Sequence, residues 1–267
     1  MGGRGRSYPI SLPYLSPHSP IALLDSGAGG IGVLREVEKL LPAEQLLYFA
    51  DSANAPYGEK PPERVRKLVI LHAERLLLTC KALVLACNTA TAVAARELRE
   101  RFPDRIIIGM EPALRPAVLY CKSPTVLVLA TAATLAEEKF KKLAERYAKT
   151  AHILPLPAPE IVTLVEAGKA DSPEMLAYLS SLLAPYRTPR PDAVVLGCTH
   201  FPFAKNAIRA VLGQDIPLFD GALGTARELA RRLAEQGLSA PATARGGVRI
   251  TASDPDKLPL YRALYRG

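Results

Sequence analysis

Two stretches of the sequence share one pattern, Ala82-Leu-Val-Leu-Ala-Cys87-Asn88-Thr89 and Ala193-Val-Val-Leu-Gly-Cys198-Thr199-His200. In each stretch an apolar run ends in a small residue, which is followed by a cysteine and then by polar side chains. A short apolar run without polar alternation predicts a strand that is buried on both faces. The two cysteines are 111 positions apart, about the length of one small domain, so the repeat predicts two similar units.

Similar apolar runs recur along the chain from residue 21 and alternate with amphipathic stretches. The predicted strands are Ile21–Leu24, Leu46–Ala50, Ala82–Ala86, Ile106–Gly109, Val126–Ala130, His152–Leu154, Ala193–Leu196 and Ile216–Phe219. The helical patterns between them include Val33–Leu41, Pro62–Thr79, Ala90–Arg101, Leu135–Tyr147 and Glu174–Ala184. Fully apolar strands that alternate with helices predict an α/β protein with mostly parallel sheets flanked by helices.

A fainter repeat pairs Ile21-Ala-Leu-Leu-Asp25-Ser26 with Val126-Leu-Val-Leu-Ala-Thr131, two further strands that stop at polar side chains. Ligands of open α/β sheets bind outside the carboxyl ends of the strands. Two similar units that face each other would bring both sets of strand ends into one cleft. The sequence therefore predicts an active site in the cleft between two similar α/β domains.

The composition argues against several classes of protein. The chain has no run of about 18 apolar residues, so no membrane-spanning helix is predicted, and prolines at positions 9, 13, 17 and 20 interrupt any signal-peptide core. The net charge is +8, but the basic residues form no single run and Trp is absent, which argues against a nucleic-acid partner. The four cysteines lack CxxC spacing, so we expect neither a metal site nor a disulfide framework, and a reducing cytoplasm fits best.

A glycine-rich segment, Asp25-Ser-Gly-Ala-Gly-Gly-Ile-Gly32, follows the first predicted strand. Its glycines match the spacing of a dinucleotide-binding fingerprint, and Asp51 follows at a suitable distance. The charge of Asp25 at the strand tip would, however, repel a pyrophosphate. The same glycines would let the backbone approach a smaller anion, such as a carboxylate, or would simply form a tight turn. All three interpretations stay open at this point.

Cys87 and Cys198 are the candidates for chemistry, because each stands at a strand end among hydrogen-bonding residues. A thiolate is a good base and nucleophile. Two thiols that face each other across a cleft indicate a reaction on both sides of one carbon. One thiolate would remove a proton from one face, and the opposite thiol would donate a proton to the other face. Asp25 and His200 are the candidate charged helpers of Cys87 and Cys198, respectively.

Seven segments, spread from about residue 20 to the end of the chain, carry a resemblance to a known family. They are Leu24-Asp-Ser-Gly-Ala-Gly-Gly30, Tyr48-Phe-Ala-Asp51, Pro56-Tyr57-Gly58, Ala86-Cys-Asn-Thr-Ala90, Glu111-Pro112, Leu196-Gly-Cys-Thr-His200 and Thr225-Ala-Arg-Glu228. In this order they resemble the glutamate racemases of the cofactor-independent aspartate/glutamate racemase superfamily. Residues 1–20 are rich in Gly, Pro and Ser and show no periodicity, which predicts a mostly disordered tail. The resemblance implies a first domain over residues 21–113 and a second over 114–215. Residues 216–267 would then return to complete the first domain.

The resemblance also implies roles for individual residues. Cys87 and Cys198 would be the two acid/base residues, assisted by Asp25 and His200. The substrate would be held by Asp25, Ser26, Tyr57, Gly58, Asn88, Thr89, Thr131, Thr134, Thr199 and His200. Glu166 resembles an acidic family residue that lines the second domain's side of the cleft. The chain departs from the family pattern at Ala158, where a cysteine is frequent, and at Asp51-Ser52, where Asp-Thr is usual.

The reaction implied by the resemblance is the interconversion of L- and D-glutamate by proton transfer at the α-carbon. It would need neither a cofactor nor a metal, and it would supply D-glutamate for peptidoglycan. The alternatives are a related racemase that acts on aspartate or hydantoin, or an additional role in binding DNA gyrase. The expected partner is the small-molecule substrate, with no membrane contact and with a homodimer left open.

Overall fold

Two sheets of parallel strands organise the chain in the computed structural model, which describes residues 15–267. The strands are β1 (Ile21–Asp25), β2 (Gln45–Ala50), β3 (Ala82–Leu85), β4 (Ile106–Gly109), β5 (Thr125–Ala130), β6 (His152–Pro157), β7 (Ala193–Leu196), β8 (Leu218–Phe219) and β9 (Gly247–Ala252). The first sheet has the order β4-β3-β1-β2-β9, and the second has the order β6-β5-β7-β8. Each neighbouring pair is parallel.

Helices connect the strands, as parallel pairing requires. They are α1 (Ile31–Leu40), α2 (Pro62–Leu77), α3 (Asn88–Arg101), α4 (Leu114–Val118), α5 (Ala132–Ala136), α6 (Glu138–Tyr147), α7 (Glu160–Glu166), α8 (Pro173–Leu182), α9 (Lys205–Leu212), α10 (Ala222–Glu235) and α11 (Leu258–Arg266). The strands β1, β3 and β7 are buried along their whole length, which explains their unbroken apolar sequences. The predicted α/β fold with two parallel sheets is confirmed.

The structure differs most from the sequence prediction in one helix and one strand. The single helix expected over Leu135–Tyr147 is divided into α5 and α6 at Glu137, whose backbone is extended. Thr131 begins α5 earlier than expected, because its hydroxyl accepts a hydrogen bond from the Thr134 amide. The strand β9 was not predicted. It lies at the edge of the first sheet with a half-exposed sequence, so it lacks the apolar run of the central strands.

The last quarter of the chain contributes to both sheets. The strand β8 pairs with β7 in the second sheet, whereas β9 pairs with β2 in the first. The second sheet therefore extends beyond residue 215, where the sequence placed the return to the first domain. From α10 onward the chain packs with the first unit, because α10 and α11 contact α1.

The expected disordered tail falls partly outside the described residues, which begin at residue 15. The remainder, residues 15–20, leads into β1 and contacts the folded chain. The buried Lys81 ammonium donates a hydrogen bond to the Pro17 carbonyl and forms an ion pair with Glu44 at 2.6 Å. This contact anchors the segment, because a buried ammonium requires partners for its protons.

The carboxyl ends of β1, β3, β5 and β7 lead into the loops that carry the predicted site residues. The helices α1, α3 and α5 begin within a few residues of the first three of these strands. Their free backbone amides lie at the same edge of the sheets, which favours anionic groups there. Within residues 15–267, no helix is both long enough and apolar enough to cross a membrane.

Candidate active site

The two cysteines of the sequence repeat line one cavity. Cys87 follows β3 and is the N-cap of α3, whereas Cys198 follows β7 in the other sheet. Both are buried, with 7% and 8% of their surface exposed, and both line a cavity of about 400 Å³. Small-molecule sites typically measure roughly 300–1,000 Å³. A small ligand in this cavity would therefore have one thiol from each sheet beside it.

Most of the other predicted residues lie at this cavity or next to it. The cavity is lined by Ser26, Pro56, Tyr57, Gly58, Glu59, Cys87, Thr89, Thr131, Ala132, Pro159, Val162, Cys198 and His200. Asn88 and Thr134 line a neighbouring cavity of about 150 Å³. Among the described residues that line the larger cavity there is neither Lys nor Arg. An anionic ligand would therefore be bound mainly by hydroxyl and amide donors rather than by a lysine or arginine side chain.

Cys198 belongs to a chain of buried hydrogen bonds. Its sulfur lies 3.8 Å from His200 Nδ1, and His200 Nε2 lies 2.6 Å from Glu166 Oε1. Burial alone would lower the pKa of His200, but the hydrogen bonds with Cys198 and Glu166 raise it well above its usual value. Burial alone would raise the pKa of Glu166, but its bond with His200 outweighs burial and lowers it. The pair is therefore an imidazolium and a carboxylate, and the imidazolium can exchange a proton with the sulfur.

The glycine-rich turn after β1 contacts this chain directly. The Ala28 amide donates to Glu166 Oε1 at 2.6 Å, and the Tyr48 hydroxyl holds the turn by donating to the Gly27 carbonyl at 2.6 Å. A Cβ atom at Gly27 would overlap the Glu166 carboxylate, and one at Gly29 would overlap Thr199 and His200. Both glycines are therefore required for close contact between the turn and residues of the second unit.

Asp25 lies between the two halves of the site. Its carboxylate accepts hydrogen bonds from the Gly27 amide at 2.8 Å and from the Thr199 hydroxyl at 3.2 Å. Burial raises the pKa of Asp25 to about 6, although the charge of His200 opposes the shift. The sequence placed Asp25 beside Cys87 alone. In the structure its hydrogen bonds reach the residue next to Cys198, and its charge also acts on Cys87.

Cys87 has a different environment from Cys198. Burial raises the pKa of the Cys87 thiol well above its usual value, and the negative charge of Asp25 adds to the effect. The Ala90 amide and the Ser26 hydroxyl offset part of it. Because no imidazole neighbours this sulfur among its described partners, Cys87 is held as the protonated thiol.

Hydroxyl and amide groups of the other predicted residues lie at the cavity of the two thiols or at the smaller cavity beside it. The Thr131 hydroxyl donates to the Thr134 hydroxyl at 3.0 Å, and a Cβ atom at Gly58 would meet Thr131 at 3.0 Å. Thr89 is buried at the cavity wall. The Asn88 side chain is buried, and neither its oxygen nor its nitrogen has a hydrogen-bond partner among the described residues. An unpartnered buried amide is costly, so a bound ligand is the expected partner of Asn88.

Tyr57 does not offer its hydroxyl to the cavity. The hydroxyl donates to Asp51 Oδ2 at 2.7 Å, and the same carboxylate accepts from Asn54 and Ser253, each at 3.0 Å. His72 Nε2 lies 3.3 Å from Asp51 Oδ2. Burial would raise the pKa of Asp51, but these hydrogen bonds outweigh it and lower the pKa below its usual range. Asp51 thus anchors Tyr57, whose ring and backbone remain available to a ligand.

Sequence reasoning missed several residues that shape the site. Tyr261, near the end of the chain, donates from its hydroxyl to Glu166 Oε2 at 3.0 Å. Pro159 and Val162 line the cavity from the start of α7. These residues carry no short motif, and only their position in the fold brings them to the site. Within the described part of the chain, no group of three or more His, Cys, Asp or Glu side chains could hold a metal ion.

Comparison with known families matches residues 28–229 to the family described as Asp/Glu/Hydantoin racemase. The chain belongs to this racemase family. The resemblance seen in the sequence is thereby confirmed. Among relatives, the glutamate racemase of Clostridium perfringens is 42% identical over 241 residues, which cover 90% of this chain and 93% of the relative. The glutamate racemase of Ectopseudomonas mendocina is 44% identical over 250 residues, or 93% and 95% of the two chains.

Solved structures of racemases share the fold. Glutamate racemase from Francisella tularensis in complex with D-glutamate matches with a TM-score of 0.81 at 26% identity, over 94% of this chain and 95% of that chain. Escherichia coli glutamate racemase, in complex with L-glutamate and the activator UDP-MurNAc-Ala, matches with a TM-score of 0.79 at 32% identity, over 92% and 95%. The two-sheet arrangement is therefore that of the racemase family.

Proposed function

We propose that this chain is a glutamate racemase, which interconverts L- and D-glutamate by proton transfer between the α-carbon and two thiols. The single observation that carries the proposal is the pair Cys87 and Cys198, which line one small cavity from two different sheets. The choice of glutamate is supported by relatives of that name at 42–44% identity over most of the chain. Asp25, His200 and Glu166 are the charged groups that support the two thiols.

In the L-to-D direction, Cys198 takes the α-proton from one face of the substrate. The electron pair of the broken C–H bond moves into the adjoining carboxylate, and the Cys87 thiol then donates its proton to the other face of the carbon. One C–H bond is broken and one is formed, so no oxidant or reductant is needed. The raised pKa of Cys87 supports this direction, because it keeps that thiol protonated in the free enzyme.

The site must stabilise the charge that builds on the carboxylate. Preorganised hydrogen-bond donors in a site that excludes water are the usual means. The candidates are the unpartnered amide of Asn88, the hydroxyls of Ser26, Thr89 and Thr131, and the backbone amides at the start of α3. All of these donors are neutral. They stabilise the negative charge on the substrate carboxylate but hold that carboxylate in place less strongly than a lysine side chain would.

The D-to-L direction starts from the opposite protonation state, with Cys87 as the thiolate and Cys198 as the thiol. The Cys198 proton in that state is the one removed from the substrate, so the forward reaction itself leaves the site in this state, with His200 Nδ1 3.8 Å from the sulfur. Asp25 carries a negative charge that acts on Cys87, and it accepts a hydrogen bond from Thr199, the residue next to Cys198. It is therefore in contact with the surroundings of both thiols. We therefore propose that Asp25 influences the protonation of both thiols.

The proposed setting follows from the reaction. D-glutamate is a component of peptidoglycan, so the chain would act in the cytoplasm, where its precursors are made. The four cysteines are free, which fits a reducing compartment. A homodimer stays a prediction.

Circular dichroism of L- and D-glutamate incubated with the purified protein tests the proposal. Each enantiomer should lose its signal as it approaches the racemic mixture. L- and D-aspartate, which are one methylene shorter, should react about 10- to 200-fold more slowly. Cys87→Ala and Cys198→Ala should each abolish racemisation, whereas Cys80→Ala, a buried cysteine outside the cavity, should retain it. Near-normal activity in either active-site variant would refute the two-thiol mechanism. Faster turnover of aspartate would transfer the proposal to that substrate.

A further inference from the structure

The C-terminal helix α11 reaches the hydrogen-bond chain that ends at Cys198. Tyr261, in the first half of this helix, is fully buried, and its hydroxyl donates to Glu166 Oε2 at 3.0 Å. The other oxygen of the same carboxylate faces His200 Nε2 and the Ala28 amide, each at 2.6 Å. Both carboxylate oxygens are therefore held, and each by a different part of the fold.

These contacts come from both halves of the molecule. Glu166 is the last residue of α7, which belongs to the second unit, as does His200 after β7. Tyr261 belongs to α11, which packs on α1 and β9 beside the first sheet. The hydrogen bond from Tyr261 to Glu166 therefore joins the first unit to the second, through the same carboxylate that faces His200.

The hydroxyl is not needed to dock the helix. The Lys257 ammonium donates to the Glu166 carbonyl at 3.2 Å, and Leu260 lies against Gly168. Leu260, Leu264 and Tyr265 pack against the main hydrophobic core. Removal of one oxygen atom would leave these contacts in place. Burial, together with the charge of Glu166, raises the pKa of Tyr261, so the phenol remains a neutral donor.

We propose that Tyr261 is a positioning residue for proton transfer at Cys198: its hydroxyl orients the Glu166 carboxylate, which in turn holds the His200 imidazolium against the sulfur. The inference rests on the proposed two-thiol function. It extends the site to a residue 95 positions from Glu166, in a helix that carries no recognised motif. Tyr261 lies outside the residues that line the 400 Å³ cavity, so it acts through Glu166 and not on the substrate.

The matched experiment compares Tyr261→Phe with Tyr265→Phe. Tyr265 lies one turn further along the same helix, and its hydroxyl donates to Glu38 Oε2 at 2.6 Å, away from the hydrogen bonds that join Glu166, His200 and Cys198. Tyr261→Phe should lower kcat/KM by about 10- to 100-fold, the range seen when a partner one bond behind a functional group is lost. The loss should fall on kcat, with KM changed less than about threefold. Tyr265→Phe should stay within about twofold of the wild type.

Isotope effects separate a positioning role from a general structural one. Under the proposed mechanism Cys198 takes the proton from L-glutamate, so Tyr261→Phe should increase the deuterium effect on kcat/KM most with α-deuterated L-glutamate. In a Glu166→Gln background, Tyr261→Phe should have little further effect, because the two residues act as one unit. Both results would identify Glu166 as the route by which Tyr261 acts.

The outcomes decide between the alternatives. Activity of Tyr261→Phe equal to that of Tyr265→Phe would overturn the inference. Isotope effects that rise equally with both enantiomers would do the same, and so would a Tyr261→Phe protein that fails to fold, since the hydroxyl would then be structural. Absence of racemisation in the wild type would instead refute the proposed function.

Discussion

Asp25→Asn is expected to make the protein more stable while it makes the enzyme slower. Asp25 is fully buried, and burial raises its pKa from the ordinary 3.8 to about 6. Above that pH the folded state must hold an ionised carboxylate that would be better solvated in the unfolded chain. An asparagine has nearly the same shape, can accept the hydrogen bond from the Gly27 amide, and carries no charge.

The magnitude follows from the shift. A rise from 3.8 to about 6 corresponds to roughly 3 kcal/mol, at about 1.4 kcal/mol for each tenfold change in proton affinity. Because the folded state binds the proton more tightly, the cost is absent below pH 3.8, grows between pH 3.8 and 6, and is complete above pH 6. Asp25→Asn should therefore raise the free energy of unfolding by about 1–3 kcal/mol at pH 8 and by less than about 1 kcal/mol at pH 4.

Urea unfolding of the wild type and the variant at pH 8 and pH 4 measures this difference. Asp51→Asn provides a matched control, because Asp51 is also buried but its pKa is lowered by its hydrogen bonds. Its ionised form stabilises the fold, so Asp51→Asn should destabilise the protein at both pH values. An Asp25→Asn variant that is less stable than the wild type at pH 8, or a stability gain that does not depend on pH, would refute the reasoning.

Three further predictions concern other parts of the molecule. Gly27→Ala should lower racemase activity by about 100-fold, because the added methyl displaces the Glu166 carboxylate, whereas Gly32→Ala, with open space around it, should be active; the racemisation rate checks both. Deletion of residues 2–19 should lower the free energy of unfolding, measured in urea, by about 1–3 kcal/mol, because it removes the Pro17 carbonyl from the buried Lys81 ammonium. His200→Asn should lower kcat/KM by about 10²–10⁴-fold, and equally in both directions, since the two enantiomers have the same free energy in water; unequal losses would show that the assay does not measure racemisation.

The parts of the fold that the sequence predicts are those with a local signal. The strands β1, β3 and β7 are buried on both faces, and an unbroken apolar run is the direct consequence of that burial. The repeat of a cysteine after β3 and β7 points to the site for a similar reason, because each cysteine follows the carboxyl end of a buried strand, one in each sheet. These features depend on a few neighbouring residues, so one sequence is enough to find them.

The remaining features depend on contacts between distant residues. β9 is a half-exposed edge strand, and what makes it a strand is its pairing with β2, about 200 positions earlier. Tyr261 becomes a partner of Glu166 only when α11 packs beside the first sheet. The sequence also assigned Asp25 to Cys87 because both lie on the first sheet, and it had no means to detect the bond from Thr199 across the cleft.

The cost of ionised Asp25 bears on its function. A buried carboxylate that destabilises the folded protein by a few kcal/mol has no structural advantage over an amide of the same shape. Sites of chemistry are where such costs persist, because the charge is needed for proton transfer. The opposite behaviour of Asp51, whose charge is stabilised by Tyr57, Asn54 and Ser253, marks that residue as a structural anchor. Asp25 is the last residue of β1 and Asp51 directly follows the adjacent β2, so their environments, not their position in the fold, separate their roles.

The glycine-rich turn shows how the same comparison resolves an ambiguous motif. Its spacing allowed a dinucleotide site, a small-anion site or a simple turn. In the structure the turn does approach a carboxylate, but the carboxylate is that of Glu166, which accepts from the Ala28 amide. The bare Cα atoms of Gly27 and Gly29 make room for Glu166 and His200. Under the proposed mechanism, the turn brings the first unit against the Glu166 and His200 side chains behind Cys198. Any substitution that separates the turn from these side chains should then slow proton transfer at Cys198 more than proton transfer at Cys87.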